Sequence, residues 1–364
     1  MLCAILRKEQ GIKSVHINRH KMISNINNAT SKSNNRLLSM IVYFIIVHIF
    51  TMNLSAQKDL QFNSDKQFKI VQFTDTHFYL GGARSQEVLD NIKVIMETEK
   101  PDLVILTGDI VTGNGENWPT IASWDTLTNF LIKFHTPYAV TFGNHDDEAQ
   151  TSRIDLLNYL SDRPYCIIYD EGGDETEGVG NFVLPVYNSK GIVEKLIYCM
   201  DSRSYSLAKD KGIDGYGWFD QSQIRWFAET NQSWLTKNQD VQCLLFFHIP
   251  IPEYKRAFYE GEFKIGVRME EECSPMINTG MFSEMILQGN VMGAFVGHDH
   301  NNNYIAQLYR IALGYGYFSG GNSYGDLPLN GARIILLEEN KRTFKTWLRR
   351  SDGVKLYTAE FPHL

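Results

Sequence analysis

Five short apolar runs in this 364-residue chain end in residues that bind metal ions. The endings are Asp75-Thr76-His77, Gly108-Asp109, Gly143-Asn144-His145-Asp146, Phe247-His248 and Gly297-His298-Asp299-His300. Each alone has an ordinary explanation. An Asp after a strand caps a helix or forms a turn, Asn144 fits a turn, and a single histidine such as His248 is more often hydrogen-bonded than ligating. Together, two Asp, one Asn and four His make a donor set suited to borderline divalent cations, because imidazole binds Zn, Fe and Mn while carboxylate oxygens add charge and bridge. Gathering them in one crevice without a cation would desolvate charged and polar groups with nothing in return. The set is spread over 226 positions, so its chemistry depends on a fold that brings five chain segments together.

The runs that carry these endings predict strands over 68–74, 102–107, 138–142, 196–200, 241–247 and 291–296. Helical spacing predicts helices near 84–99, 120–134, 149–161, 220–235 and 281–288. Val88, Ile92 and Ile95 set the period of the first, and Pro101 marks its end. Asp220 with Gln223 reads as a capping box ahead of Ile224 and Phe227. Near the C-terminus, 333–337 and 343–348 read as a hairpin expected to close a second sheet. Strands alternating with helices give an α/β fold with a largely buried sheet. In such folds strand C-termini converge on one crevice, which is what the five endings require. No repeat, low-complexity tract or Pro-rich linker follows residue 57, so 57–364 reads as one domain.

The ordered motifs resemble the signature of the calcineurin-like metallophosphoesterases, which include the purple acid phosphatases: D-x-H or D-x-G, GDxx, GNH(D/E), a lone His after a strand, and GHxH. The likeness covers residues 68 to about 300 and continues more weakly through Gly212–Trp218, Glu272–Pro275 and Gly331–Arg333, segments similar to a non-purple branch of the group. Purple enzymes carry GDxxY, whose Tyr binds ferric iron; here that position is Thr112, and His77 stands where they have Gly. The resemblance therefore implies a dinuclear site without the tyrosinate ligand, in a four-layer α/β/β/α sandwich. It implies Asp75, His77, Asp109 and His300 on one metal, and Asp109, Asn144, His248 and His298 on the other, with Asp109 bridging. The two metals would be Fe, Mn or Zn. His145 is left unligated, with Asp146 available to orient it.

Two cations about 3.5–4 Å apart bind phosphoryl oxygens, lower the pKa of a bound water and stabilise an in-line displacement. What remains is protonation of the departing alkoxide, a task for a positioned histidine, here His145. The implied activity is metal-dependent hydrolysis of a phosphomonoester. The alternatives are a phosphodiesterase acting on a cyclic nucleotide, nucleic acid or phospholipid head group, and a metal-binding member without catalysis. Against the last stands the filling of all seven ligand positions. Substrate choice falls to loops 79–84, 112–119, 170–181, 202–218 and 252–280. Within them Arg203, Tyr216, Lys255, Arg256 and Arg268, and more weakly Tyr254 and Asn278, are candidates to touch a phosphate or a leaving group, although solvated surface accounts for each. Gly108–Gly113 lacks a P-loop Lys and Gly320–Gly325 lacks a following helical period, so neither reads as a nucleotide loop. No G-x-S-x-G element supports a serine hydrolase.

Composition sets the class. With 43% hydrophobic and 21% charged residues the chain is neither disordered nor collagen-like. A net charge of −7 argues against stable nucleic-acid binding, which needs clustered Lys and Arg. Aromatic residues, 12%, are spread as in a packed core and form no base-stacking track.

The N-terminus departs from the rest. Residues 1–56 hold seven basic side chains (Arg7, Lys8, Lys13, Arg19, Lys21, Lys32, Arg36) against Glu9 alone, whereas the remaining 308 residues hold 28 basic and 41 acidic ones. The stretch ends in an apolar run of 13 residues, 40–52, followed by Asn53-Leu54-Ser55-Ala56. That is the pattern of a signal peptide, and it is short of the roughly 20 apolar residues of a permanent span. Its long basic part points to Met22 or Met40 as the start. Export to a periplasmic or extracellular space would let Cys166, Cys199, Cys243 and Cys273 pair, although Cys199 and Cys243 lie in apolar runs that suit packed free thiols. Cleavage after Ala56 is expected, so mass spectrometry of the secreted protein should find Gln57 at the N-terminus; retention of Met1 would overturn the export reading.

Overall fold

The computed structural model describes residues 59–81, 83–112, 119–149, 151–321 and 330–363. The signal-like segment 1–56 and Gln57 lie outside the described residues, as do most of the loop 112–119 and of Gly320–Gly325. Two sheets form among the described residues. One has eight strands in the order β1 (Leu60–Gln61), β6 (Phe182–Tyr187), β7 (Val193–Cys199), β8 (Gln242–Phe246), β10 (Val291–Val296), β12 (Ile311–Tyr315), β11 (Ile305–Leu308) and β9 (Phe263–Ile265). The other has seven, in the order β15 (Lys355–Phe361), β14 (Phe344–Arg350), β13 (Gly331–Glu338), β2 (Gln67–Phe73), β3 (Leu103–Thr107), β4 (Tyr138–Thr141) and β5 (Cys166–Ile167). Helices Ala83–Glu99, Thr120–Ile132 and Arg153–Ser161 go with the seven-stranded sheet, and Gln221–Lys237, Glu253–Glu260 and Met281–Gln288 with the eight-stranded one. The result is the expected α/β/β/α layering.

Strand period explains why the layers stack. Alternate residues of a strand point to opposite faces. Along β7 and β8, Leu196, Tyr198, Cys243 and Leu245 pack into one apolar cluster with helix residues Ile224, Phe227 and Met285. Their neighbours Ile197, Cys199, Leu244 and Phe246 join a second cluster that holds Val71 of β2 and Ile334 of β13. Both faces are buried, so these strands read as continuous apolar runs. Cys199 and Cys243 fall on opposite faces, and the four described cysteines are unpaired.

Topology places the metal-ligand residues. Strands β2, β3 and β4 are parallel neighbours, as are β8 and β10 in the other sheet, so the five endings leave two sheet edges on the same side. The capping box forms as expected, Asp220 accepting from Ser222 N and Gln223 reaching back to Asp220 N. The third helix starts later than its spacing predicts, at Arg153, because Ser152 caps it through Asp155 N. The terminal hairpin differs from expectation in place. Instead of closing a second sheet, β13 pairs antiparallel with β2 and so extends the sheet that carries Asp75 and Asp109. Strands β11 and β12, absent from the sequence reading, are joined by Tyr309 and Arg310, both at positive φ. Hairpins of that kind normally announce themselves with Asn-Gly, and here no such signal exists.

Glu99 ties the first helix to this sheet. Its carboxylate accepts from Trp347 Nε1 at 2.9 Å, Arg349 Nε at 2.7 Å and Lys69 Nζ at 3.3 Å. Burial pushes its pKa up, but the Trp347 and Arg349 donors and the Lys69 charge outweigh it, and the net shift is downward. A carboxylate with a depressed folded-state pKa adds stability above its ordinary pKa and loses it as pH falls through the folded value. Glu99→Gln is therefore expected to cost on the order of 2 kcal/mol at neutral pH, seen as a Tm lower by several degrees. The gap should close as the pH drops below the usual glutamate range; a gap independent of pH would mean that packing, not charge, supplies the stability.

Candidate metal centre

The backbone at this edge is bent to deliver side chains. Asp75, His77, Asp109 and His298 adopt φ of 52°, 42°, 50° and 77°, a left-handed region that costs an L-residue roughly 1–2 kcal/mol. Crossed hydrogen bonds hold them there: Asp75 N donates to Gly108 O at 3.1 Å, His77 N to Asp109 O at 3.0 Å, and Gly297 N to His248 O at 3.1 Å. Two of the motif glycines are required by crowding. A Cβ at Gly143 would meet the Asp109 carboxylate, and one at Gly297 would meet Thr74 Oγ1 and the Asp75 carboxylate.

Two groups of donors result. Asp75, His77 and His300 offer atoms that all lie within 4.8 Å of one another, and so do Asp109, His248 and His298. In the first, His77 Nε2 faces His300 Nε2 at 3.1 Å, and His300 Nε2 lies 3.6 Å from Asp75 Oδ1. In the second, His248 Nε2 lies 3.0 Å from Asp109 Oδ2 without hydrogen-bond alignment. Burial lowers the His77 pKa to about 4 and that of His298 to about 3, despite the Asp109 charge. These rings are neutral near pH 7 and present lone pairs. Burial also lowers His248, but Asp109 reverses this and raises it to about 9. Burial raises Asp109 and Asp75 alike, yet both end below the carboxylate range, Asp109 chiefly through the His248 charge and Asp75 through a hydrogen bond to His300.

The buried atoms Asn144 Oδ1, His248 Nε2 and His298 Nε2 have no hydrogen-bond partner. Orphaned buried polar atoms are rare in native folds, and a cation would engage these three once His248 has lost its Nε2 proton. The outer contacts fit the same purpose. His248 Nδ1 lies 2.9 Å from Thr107 O and donates to it, so Nε2 is the nitrogen that would give up its proton to an ion. His77 Nδ1 lies 3.0 Å from Thr112 Oγ1. The residue that departs from the purple pattern is thus the one that orients His77. The donor set and its surroundings fit two borderline cations.

Asp146 does not do what the sequence predicts. Its carboxylate accepts from Asp109 N at 2.9 Å, Gly143 N at 2.8 Å, Ile110 N at 3.0 Å and Val111 N at 3.1 Å, stapling the loops after β3 and β4. Burial and the Asp109 charge push its pKa up to about 6. The partner of His145 is Glu148, whose Oε2 lies 2.6 Å from Nδ1. Burial lowers the His145 pKa, but Asp109 and Glu148 more than reverse this, and the net shift is upward. The ring is about one-third exposed at the edge of the centre, 5.4 Å from that of His77.

Several residues that matter here escaped the sequence reading. The Tyr205 hydroxyl donates to Glu148 Oε1 at 2.6 Å and accepts from Asn144 Nδ2 at 3.2 Å. Arg153 donates to Gly143 O at 2.6 Å and to Asp147 and Asp201, locking the Asn144 loop against the end of β7. Ser202 Oγ receives His248 N and Ile249 N. Only Glu148 left a trace in the sequence, three residues after His145. Among the loop candidates, Tyr216 is the one that reaches the centre, its ring edge-on to His298 at 4.3 Å and stacked on Tyr205 at 5.9 Å. The cations are occupied elsewhere: Arg203 pairs with Glu177, Lys255 with Glu271, Arg256 with Glu260, and Arg268 with Glu271 and Glu272. Tyr254 is buried with its hydroxyl on Ala294 O, and Asn278 bonds Glu253.

The chain is similar to several known proteins. The chain is 29% identical over 361 residues to a protein of Arabidopsis thaliana named probable inactive purple acid phosphatase 14, with 85% of this chain and 88% of that one covered. It is 28% identical over 331 residues to Phosphatase DCR2 of Saccharomyces cerevisiae, covering 81% of this chain and 56% of the yeast protein. The crystal structure of a dimetal phosphatase from Danio rerio shares the fold, with a TM-score of 0.59 at 13% identity over 81% of this chain and 98% of that one. The profile of calcineurin-like phosphoesterases matches residues 68–302, from β2 to just past His300, and on that match the chain belongs to the calcineurin-like phosphoesterase family.

Proposed function

We propose that this chain is an exported, metal-dependent phosphoesterase that hydrolyses phosphomonoesters. The observation that carries the reading is the pair of largely buried donor groups, Asp75, His77, His300 and Asp109, His248, His298, together with the buried Asn144 Oδ1, which lacks any partner. Asp75, His77, Asp109 and His300 would hold one ion, and Asp109, Asn144, His248 and His298 the other. Bound there, the ions would neutralise phosphoryl oxygens and acidify a water. The protein's own part is to keep those donors neutral or ionised as each ion requires, to exclude other partners from them, and to supply a proton. His145 is at the rim where a leaving oxygen would depart, and Glu148 fixes its Nδ1–H so that Nε2 carries the proton to be given. Export is supported by the basic stretch and short apolar run before Ala56; among the described residues no helix is long and apolar enough to cross a membrane.

A second reading has its own support. The Arabidopsis relative carries the name probable inactive purple acid phosphatase 14, and a binding role would use the same donors. The complete ligand set favours catalysis.

The test is hydrolysis by residues 57–364 reconstituted separately with Mn, Zn and Fe, using an aryl phosphate monoester and the matching diester. Metal-dependent turnover, faster on the monoester and abolished by Asp109→Ala, is expected. Preference for the diester would move the assignment to a phosphodiesterase, and two bound metals without turnover would favour the binding role. His145→Ala should lower turnover about 100-fold or more on an alkyl phosphate and far less on a nitrophenyl phosphate, whose leaving group needs no proton. Equal losses on the two would remove His145 from the acid role.

A further inference from the structure

Tyr205 stands between the two halves of the centre's machinery. Its single hydroxyl is a donor to Glu148 Oε1 at 2.6 Å and an acceptor from Asn144 Nδ2 at 3.2 Å, and Glu148 Oε2 in turn meets His145 Nδ1 at 2.6 Å. A hydroxyl has one proton and can serve both neighbours only in this sense. The direction of the chain is therefore fixed: the amide N–H₂ of Asn144 must point to the phenol, which turns Oδ1, the buried oxygen without a partner, the other way. Glu148 accepts from Tyr205 on Oε1 and meets His145 on Oε2, so each of its oxygens is engaged.

The segment that carries Tyr205 is built to present it. Gly217 N donates to Ser204 O and Ser206 N to Gly215 O, both at 2.9 Å, and Tyr205 bridges Tyr216 in antiparallel fashion. The Tyr205 ring stacks on Tyr216, Lys209 lies 5.5 Å over its face, and Tyr216 in turn packs on His298. The Ser204 hydroxyl also bonds Asn144 O at 3.3 Å. This flap is sequence-remote from the Asn144 loop, yet meets it at backbone and side chain.

We infer that Tyr205 is a positioning residue: its hydroxyl sets the Asn144 amide for ion binding and, through Glu148, the His145 ring for proton donation, so that the two functions are coupled through one atom. The inference rests on the phosphoesterase reading for its catalytic arm but not for its ion-binding arm. A merely structural tyrosine would contribute through its ring, which Tyr205→Phe preserves.

The experiment compares wild type, Tyr205→Phe, Glu148→Gln and the double variant in the 57–364 chain. Mn and Zn titrations followed by calorimetry read the second equivalent of metal, and kcat and KM are measured on an alkyl and a nitrophenyl phosphate. Tyr205→Phe is expected to weaken the second metal equivalent about ten-fold and to lower kcat on the alkyl ester about ten-fold, with KM little changed and the nitrophenyl ester, assayed at saturating metal, nearly unaffected. Glu148→Gln should share the loss in kcat but not the loss in metal affinity. The double variant should be no slower than the slower single one, because both changes cut the same chain. Wild-type metal affinity in Tyr205→Phe, or fully additive losses in the double variant, would overturn the coupling. If wild type hydrolyses neither ester, the catalytic reading fails, and the metal titration still decides whether Tyr205 sets Asn144.

Discussion

The carboxylate of Asp109 is the point on which the two sheets converge. It leaves β3 of the seven-stranded sheet, yet Oδ2 lies against His248 from β8 of the other, and Oδ1 receives the backbone N–H of His145 at the end of β4. Its own N–H is held by Asp146, and its backbone sits in a left-handed conformation that the flanking hydrogen bonds enforce. Desolvating one carboxylate so completely is tolerable only where opposite charge and directed donors surround it. The strained residues, the crowded Gly143 and the four-fold acceptor Asp146 all serve to build that surrounding.

The inner part of this arrangement was legible in the sequence because it is local. Each donor follows its strand within a few residues, and strand period with parallel topology does the rest. The fold class and most elements of the central sheets follow from the same apolar runs. What sequence reasoning missed is what depends on meetings between distant segments. Tyr205 lies 57 residues from Glu148 and 61 from Asn144, and nothing in its neighbourhood marks it. Asp146 misled for the opposite reason: adjacency to His145 suggested partnership, whereas the turn after β4 aims consecutive side chains in different directions and gives the carboxylate to backbone N–H groups. The β11–β12 hairpin was hidden because Tyr309 and Arg310 occupy a turn that ordinarily declares itself with Asn and Gly.

The loops that surround the centre show a consistent electrostatic economy. Arg203, Lys255, Arg256 and Arg268 are each matched by an acid, and residues 57–364 carry 28 basic against 41 acidic side chains. A phosphate approaching such a surface would meet no uncommitted cation among these four, and ions bound at the proposed centre would be its source of attraction there. The rim then supplies shape and hydrogen bonding, with Tyr205, Tyr216, His145 and Glu148 as its partly exposed edge.

The insertion of β13 between β14 and β2 reaches beyond the centre. Because β2 receives one of its two neighbours from residues 331–338, the strand that delivers Asp75 keeps a bare hydrogen-bonding edge until that distant segment arrives. The pairing joins segments far apart in the chain, and such non-local contacts are slow to form, so the sheet that carries Asp75 and Asp109 is completed, and its donors are brought together, late in folding.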